Sequence, residues 1–521
     1  MSQSASDILQ AQVNAAVQHI LDDYKPRKIR ANKVIRDTAF GFNLFYKYEI
    51  NLLDSPLLQR LRQIHQTALA CYTYPSAVHT RFEHSLGVTV VAQRMIEALR
   101  QRDPTLLSDA TPRAEVRLAA LLHDIGHGPF SHSSEHVYGS FDEIKQVKSE
   151  NPLLFDRRDP HEILSYFIIN SDEFQNLWKK IVELYTTYDV TEVHLPLIEL
   201  RNVALMILGH HSNSAMNFLA QIVNGPHDAD KFDYITRDGY FTGLRTAIDI
   251  DRFLLALSTH EGDLSHDTHP GDHTDGRQLC VDVSGVTALE QLLFNKMQLY
   301  SSVYHHHKIR AAHQLLVSII ETLKTKGLPL ADGIPTSNPS DFLKVDDNAI
   351  MCNKTSNADI DRAIKQLAKR VLPVRALVLC SDSAADDITR FRISRLGEDK
   401  HRVNELSADI SSASGVNASE IFIDFPEAPR FQGTAFGSFV RTSPEDVIRL
   451  NVIYPVHGWV KGHAEHRYRA YIFTSLGNEE KVAKAAHEVL QTKDGIQLNK
   501  MAFYLANHTQ AFVASLNLSI A

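Results

Sequence analysis

A chain of 521 residues with 44% apolar side chains is long enough for two to four domains of ~150 residues each, and apolar enough for a buried core. Its formal net charge of -8 and pI of about 6.4 exclude a chain built to coat nucleic acid, so an anionic ligand must be met by a local basic pocket. Cys71, Cys280, Cys352 and Cys380 stand at no zinc or disulfide spacing; with no apolar run near ~18 residues and no leader-like start, the expectation is a cytoplasmic protein.

In the first thirty residues Ile8, Val13, Ala16, Val17, Ile20 and Leu21 share one helical face, read as a packing helix or an oligomer arm that ends before Lys25 and Pro26. From about residue 52 to 240 the pattern is helix after helix, at 56–64, 82–99, 113–123, 161–170, 195–210 and 216–223. A polar loop with His260, His266, His269 and His273 reads as surface decoration, with metal binding as the weaker alternative. Residues 279–283 suggest a strand pair, and long helical sequence follows over 286–324. Pro329, Gly333, Pro335 and Pro339 mark a linker. Beyond it helices are expected at 357–370, 479–490 and 499–506, and strands at 374–380, 420–425, 447–453 and 468–473. The expected fold is mainly α: an N-terminal helical arm (1–32), an all-helical domain (33–326), a linker or excursion (327–350) and a smaller α+β C-terminal region (351–521). No repeat occurs at solenoid spacing.

Chemistry enters at Ala119-Ala-Leu-Leu-His-Asp-Ile-Gly-His-Gly-Pro-Phe-Ser-His132. Val116, Ala119, Ala120 and Leu122 recur at helical spacing, which puts His123 and Asp124 at the buried end of a helix that Gly126, Gly128 and Pro129 then stop. Adjacent imidazole and carboxylate make a two-ligand corner for a divalent ion such as Mn, Mg, Fe, Ni or Zn, and the scarcity of cysteine argues against a thiolate site. Such a corner predicts a hydrolase. Alone, the dipeptide is more often a helix cap followed by a solvated turn residue.

Two flanking segments change that balance: His79-Thr-Arg-Phe-Glu-His-Ser-Leu-Gly-Val88 and Asp228-Ala-Asp-Lys-Phe-Asp-Tyr-Ile-Thr-Arg-Asp238. The order His, His-Asp, Asp resembles the HD superfamily of metal-dependent phosphohydrolases, above all its deoxynucleoside triphosphate triphosphohydrolase branch, over about residues 33 to 320. The resemblance implies one divalent metal ion held by His84, His123, Asp124 and Asp230 on separate helices. It assigns phosphate contacts to Arg81, Lys231 and His127, and water activation and proton delivery to His132 and His161, with roles among the three histidines open to exchange. Gln66 falls where the family contacts the 3'-hydroxyl, Tyr234 and Asp238 where it meets the deoxyribose, and Lys296, Tyr304 and His305 near the pocket. The competing readings are histidines that only brace the ligands and a Tyr234 that only packs the core.

The implied activity is hydrolysis of a deoxynucleoside triphosphate to deoxynucleoside and inorganic triphosphate. The alternatives are a phosphodiesterase or nuclease acting on single-stranded nucleic acid or a nucleotide second messenger, and a sensor that binds without catalysis; the acidic balance disfavours a long nucleic-acid track. Implied partners are a nucleotide substrate and further copies of the chain in a dimer-based tetramer or hexamer, with no membrane; Lys33, Arg60 and Arg62 read either as anion contacts for a nucleotide effector or as surface charges, and effector control stays open. The sequence departs from the family at Asp37-Thr-Ala-Phe-Gly41, where Asp-Pro-Val/Ile-His-Gly is usual, and at Gln66-Thr-Ala68, where Gln-Leu-Gly is common.

Overall fold

In the computed structural model, which describes residues 4–185, 193–261, 276–426, 437–443, 446–454, 458–460, 462, 467–516 and 518, Ser4 opens the first helix, α1 (Ala5–Ile20), by accepting the Asp7 amide. Leu9, Val13, Ala16 and Val17 form its buried stripe, so α1 packs on the body of the first unit. A hairpin follows that was not expected: β1 (Lys33–Asp37) runs antiparallel to β2 (Gly41–Phe45). Asp37 sets its turn, with Oδ1 accepting the Ala39 and Phe40 amides at 2.8 Å, and Gly41 completes it at φ +72°.

Five helices carry the candidate site, α2 (Arg81–Arg102), α3 (Ala110–Leu122), α4 (His132–Tyr138), α5 (Pro160–Ile169) and α7 (Ala229–Thr242), and α6 (Leu200–Ile207) packs against α3 and α5. α2 starts in a capping box in which Glu83 accepts the Thr80 amide at 2.7 Å. Both α3 and α7 pack against α2, which is why its apolar residues are buried well beyond one stripe. The approach of α7 depends on Gly87, where a Cβ would stand 1.8 Å from Asp233 Oδ1 and 2.2 Å from Arg237 Nη2. α5 begins at Pro160, with the Asp159 amide donating to Glu162 in a second capping box.

Several expected elements are redrawn by local chemistry. Residues 56–64 split into Pro56–Gln59 and a tighter 3-10 turn, Arg60–Gln63. The expected helix 195–210 breaks into a 3-10 turn, Leu195–Leu197, and α6, because Pro196 sits in that turn and Ile198 and Glu199 are extended. The run 286–324 is likewise interrupted, by a wide turn at Tyr300–Tyr304 between Val286–Leu299 and His307–Thr325. The strand pair is Leu257–Glu261 with Arg277–Asp282, extended by Phe439–Arg441 and Val447–Arg449 into a four-stranded sheet. The strand expected at 447–453 ends at Arg449, and Leu450–Ile453 is a helical turn. His260 lies on Leu257–Glu261; His266, His269 and His273 lie outside the described residues.

The chain divides into two compact units, the first from Met1–Lys296, Ile320–Ser356 and Phe431–Val456, the second from Met297–Ile319, Asn357–Arg430 and His457–Ala521. This division differs from the expected one. The stretch read as a linker is ordered within the first unit, with a 3-10 helix Pro339–Lys344, a short helix Asp347–Met351, and Leu330, Phe342 and Leu343 buried.

The second unit is α+β. Ala470–Thr474 is the central strand between Val374–Leu379 and Ile421–Asp424, all antiparallel. Leu377, Leu379 and Ile472 join Leu406, Ile410, Val482 and Leu490 in one core, supplied partly by helices Lys400–Ser414 and Glu479–Lys493. Helices Asp387–Glu398 and Lys400–Ser414 were not anticipated, and the helix expected at 499–506 shrinks to Met501–Tyr504. Arg310 grips Asp424 with two bonds, Nε to Oδ2 at 2.9 Å and Nη2 to Oδ1 at 2.5 Å.

Within α3, Glu115 is only 3% exposed and accepts the Glu199 amide at 2.8 Å. Burial outweighs that bond and pushes its carboxyl from 4.5 up to about 7. The folded chain therefore keeps a proton that the unfolded chain has released, so Glu115 erodes stability as pH rises through this window and by a constant amount above it. Glu115→Gln, which imitates the protonated acid, is expected to add about 1–3 kcal/mol to urea-unfolding stability at pH 8.5 and little at pH 4.5; an equal change at both pH values would contradict this account.

Candidate metal centre

Each of the four expected ligands sits at a helix end, where the backbone turns its side chain inward. His84 is in the first turn of α2, His123 caps α3 and Asp124 follows it; Asp230 is in the first turn of α7, behind the N-cap Asp228 that accepts the Lys231 amide at 2.8 Å. His84, His123 and Asp230 bring one ligand atom each to a common focus, and Asp124 flanks it, turning Oδ2 to His84 and Oδ1 to His123. His84 Nε2 lies 3.2 Å from His123 Nε2, 3.0 Å from Asp230 Oδ1 and 3.5 Å from Asp124 Oδ2. His123 Nε2 lies 3.3 Å from Asp124 Oδ1 and 3.9 Å from Asp230 Oδ1.

Hydrogen bonding fixes what those nitrogens present. His123 Nδ1 is 2.8 Å from the Ala120 carbonyl oxygen, an acceptor only, so Nδ1 carries the proton. His84 Nδ1 donates likewise to Asp233 Oδ2 at 2.7 Å. Each Nε2 then aims a lone pair at the other and at two carboxylates, an arrangement that calls for positive charge at its centre. Burial opposes charging of His84, yet Asp230 and Asp233 push its pKa up to about 10. Two imidazoles and two carboxylates with this focus fit a divalent ion of the Mn, Mg, Fe, Ni or Zn group.

A buried chain of charges holds the focus in place. Arg237 donates to both Asp233 oxygens, at 2.9 and 2.8 Å, and its Nη2 is also 2.9 Å from Asp37 Oδ2, which ties the β1 turn to His84. Arg81 binds Asp124 Oδ2 through Nη1 at 2.7 Å and Ser131 Oγ through Nε at 2.9 Å. Against the upward push of burial, Arg81 and the neighbouring histidines hold the Asp124 carboxyl well below its ordinary range. Asp233 and Arg237 escaped the sequence reading, although their four-residue spacing on α7 is a recognisable ion-pair signal.

Beside this centre, the rings of His127 and His161 stack with 3.8 Å between centroids. His127 is fully buried, its ring nitrogens have no hydrogen-bond partner among the described residues, and its Nε2 is 3.4 Å from Asp124 Oδ1. Burial and the Arg81 cation push its pKa well down, so it is neutral. His161 Nδ1 lies 2.7 Å from Glu135 Oε1, while His161 Nε2 faces Asp124 Oδ1 at 3.8 Å. His132, more exposed, meets the other oxygen of the same carboxylate, Nδ1 to Glu135 Oε2 at 2.6 Å. Glu135 was missed as well; the spacing His132-x-x-Glu135 on α4 is the signal that names it.

The remaining expected residues divide. Gln66 is buried, its amide donating to the His79 carbonyl at 3.0 Å, and its Oε1 has no partner among the described residues. Asp238 is buried against His79 Nε2 at 2.7 Å. Tyr234, half-buried, shares a face of α7 with Asp230 and Asp238. Lys231 differs from expectation: its ammonium donates to the Gly225 carbonyl at 2.8 Å and to Asp228 at 2.6 Å, and so braces the cap of α7. Arg60 is also an internal brace, donating to the His127 carbonyl at 2.8 Å and to the Ile125 carbonyl, and Arg62 lies 3.6 Å over the Phe82 ring. Lys296 is buried near the end of Val286–Leu299, whereas Tyr304 and His305 belong to the second unit.

Comparison with known proteins places the chain beside HD-domain proteins. The HD domain family matches residues 81–238, and the HD associated region matches residues 272–500. An uncharacterized protein of Methanocaldococcus jannaschii is 30% identical over 61% of this chain and 56% of its own length. The deoxynucleoside triphosphate triphosphohydrolase SAMHD1 homolog of Dictyostelium discoideum is 26% identical over 71% of this chain and 66% of its own length; the Homo sapiens SAMHD1 enzyme is 27% identical over 58% and 45%. The chain thus spans about half to two thirds of the length of these curated relatives. Among solved structures, that of a hypothetical protein from Aquifex aeolicus shares the fold, with a TM-score of 0.57, 21% identity and coverage of 87% of this chain and 99% of that one.

Because Asp233 fixes the ring and proton of His84, Asp233→Asn is expected to weaken divalent-metal affinity by roughly 10–100-fold with the helical circular dichroism unchanged. Competition against a chromophoric chelator measures it; full affinity in the variant would remove Asp233 from the metal centre.

Proposed function

The chain belongs to the HD-domain superfamily, and from that premise we propose that it is a metal-dependent phosphohydrolase that cleaves deoxynucleoside triphosphates to deoxynucleoside and inorganic triphosphate. The observation that carries this reading is the convergence of His84, His123 and Asp230 at 3.0–3.9 Å, with Asp124 beside them at 3.3 and 3.5 Å from the two imidazoles. A divalent ion bound there supplies Lewis-acid polarisation of a phosphoryl oxygen.

The chain's own residues supply the rest. The water oxygen bonds to the α-phosphorus as the bond from that phosphorus to O5' breaks; the water loses a proton and O5' gains one. Glu135 accepts the Nδ1 protons of His132 and His161, which leaves Nε2 of each ring as the atom that takes or gives a proton. His127, neutral and without a hydrogen-bond partner among the described residues, is suited to a phosphate oxygen or the attacking water. Arg81 keeps Asp124 ionised and brings a buried cation to the edge of the centre. The unpartnered Gln66 Oε1 supports a hydroxyl contact from the sugar, and the 230, 234 and 238 face of α7 supports sugar packing beside the centre. The names of the relatives favour a deoxynucleotide over other phosphate esters, and the expected dimer-based tetramer or hexamer belongs to the same proposal.

Purified protein with Mn is expected to release inorganic triphosphate from at least one dNTP, supplied alone or as a mixture, in a product separation that also includes NTPs and single-stranded RNA and DNA. No triphosphate from any dNTP would sink the reading, and strand cleavage in its place would select the phosphodiesterase alternative. Glu135→Ala is expected to lower kcat on the order of 10²–10⁴-fold while metal content, read by atomic emission, stays at the wild-type level.

A further inference from the structure

Between the metal centre and α4 the chain makes a turn that L residues rarely adopt. Phe130 has φ +55° and Ser131 has φ +51° with ψ -129°, and neither is glycine, so each holds strain of about 1–3 kcal/mol unless its surroundings dictate the conformation. This turn joins His127 to His132. Its backbone is pinned on the near side by Arg60 on the His127 carbonyl and by Ser165, whose Oγ accepts the Gly126 amide at 2.9 Å and donates to the His123 carbonyl at 2.7 Å. Gly126 cannot be replaced without displacement, since a Cβ there would stand 2.1 Å from the His161 carbonyl oxygen.

The strained residues themselves are held by a side chain more than two hundred positions away. Asp347, 3% exposed, accepts the Phe130 amide on Oδ1 at 2.5 Å. Its Oδ2 accepts the His65 amide at 3.0 Å and lies 2.6 Å from His65 Nδ1. Ser131 closes the ring, its Oγ donating to the His65 carbonyl at 2.6 Å and accepting from Arg81 Nε. Asp347 is itself fixed at the start of the helix Asp347–Met351, whose N-cap Asp346 accepts the Ala349 amide at 2.8 Å. One carboxylate therefore ties the strained turn that carries His127 and His132 to the segment that carries Gln66.

From this geometry we propose that Asp347 is a positioning residue of the hydrolytic site, acting through the Phe130 amide and His65 to hold His132 and Gln66 in register. Its hydrogen bonds go to Phe130 and His65 and to none of the four candidate metal ligands. It rests on the reading of these residues as site groups, and it adds a requirement that reading does not contain: part of the stretch that sequence treats as a linker is needed for turnover. An amide in its place has one acceptor oxygen, so whichever way Asn is turned, one backbone N–H meets another donor.

Asp347→Asn is the informative change because it keeps the side chain's shape. Amide hydrogen exchange over residues 126–133 is expected to quicken by roughly tenfold or more, while exchange in α2 and α7, the metal content and the melting temperature stay near wild type. In steady-state assay with the best dNTP, kcat is expected to fall roughly 100-fold with KM within about threefold, since a small displacement of a proton-transfer group acts on the chemical step. Asp347→Glu, which keeps the charge on a longer arm, is expected to move both readouts in the same direction by less. Unchanged exchange over residues 126–133 overturns the proposal, as does a loss of turnover that comes with loss of metal and general unfolding. Exchange needs no substrate, so a wild-type protein that hydrolyses no nucleotide overturns the proposed function alone and leaves Asp347 to the exchange result.

Discussion

Two imidazole lone pairs directed at one point between two carboxylates form the constraint around which the first unit is organised. Left uncompensated, such a cluster repels itself in a low-dielectric interior, where interactions between charges are least screened. Every nearby charge is arranged in answer. Asp233 takes the far nitrogen of His84, Arg237 neutralises Asp233, and Asp37 shares Arg237; on the other side Arg81 neutralises Asp124. Removing any one member leaves its partner charged and buried, which costs more than an isolated surface pair contributes. The network therefore behaves as a unit.

Packing has to accommodate that network, and glycine marks where it does. Gly87 brings α7 within reach of α2, so that the Asp233 and Arg237 pair fits beneath His84; Gly126 lets the turn after His123 pass the start of α5. Both positions lie on apolar helices or directly after one, where alanine is the residue that propensity favours. Their cost in helix stability is offset by placing four ligands from three separate helices at one focus.

The helical character and the closeness of His84, His123, Asp124 and Asp230 were legible because each rests on a local signal: apolar spacing for α2, α3 and α5, and the His-Asp corner with its flanking motifs. What escaped reading is what depends on tertiary partners. Asp347 is an ordinary acidic residue by spacing, and although Glu135 and Asp233 each stand at a helical pair spacing, only the fold brings His161, His84 and His65 to these three carboxylates. The β1–β2 hairpin escaped because its strands bury one residue in five fully and so lack the alternation that marks a half-buried strand. Lys231 has a local partner that the sequence reading did not include. A basic residue next to a ligand aspartate invites a phosphate, but the N-cap Asp228, three residues earlier, reaches its ammonium first. Proline and serine content in 327–350 suggested a linker, yet composition carries no information about a single aspartate whose carboxylate is buried against two backbone amides.

The site thus draws on two kinds of order. The metal ligands come from helix ends, where capping and close packing fix direction, and rigid elements of this kind position side chains well. Of the histidines suited to the chemistry, His161 stands in the first turn of α5, whereas His127 and His132 lie on or just beyond an irregular turn, which no ladder of backbone bonds enforces. A turn with two strained non-glycine residues keeps its shape only through bonds to groups outside it, and here those groups are Arg60, Arg81, Ser165, His65 and Asp347. Metal affinity and proton transfer consequently depend on different parts of the sequence: the first on the charges around α2 and α7, the second on anchors spread from residue 60 to residue 347. Under the proposed roles, substitutions in the two sets are expected to separate binding of the ion from turnover, because the paths that hold them overlap only at Arg81, Asp124 and Ser165.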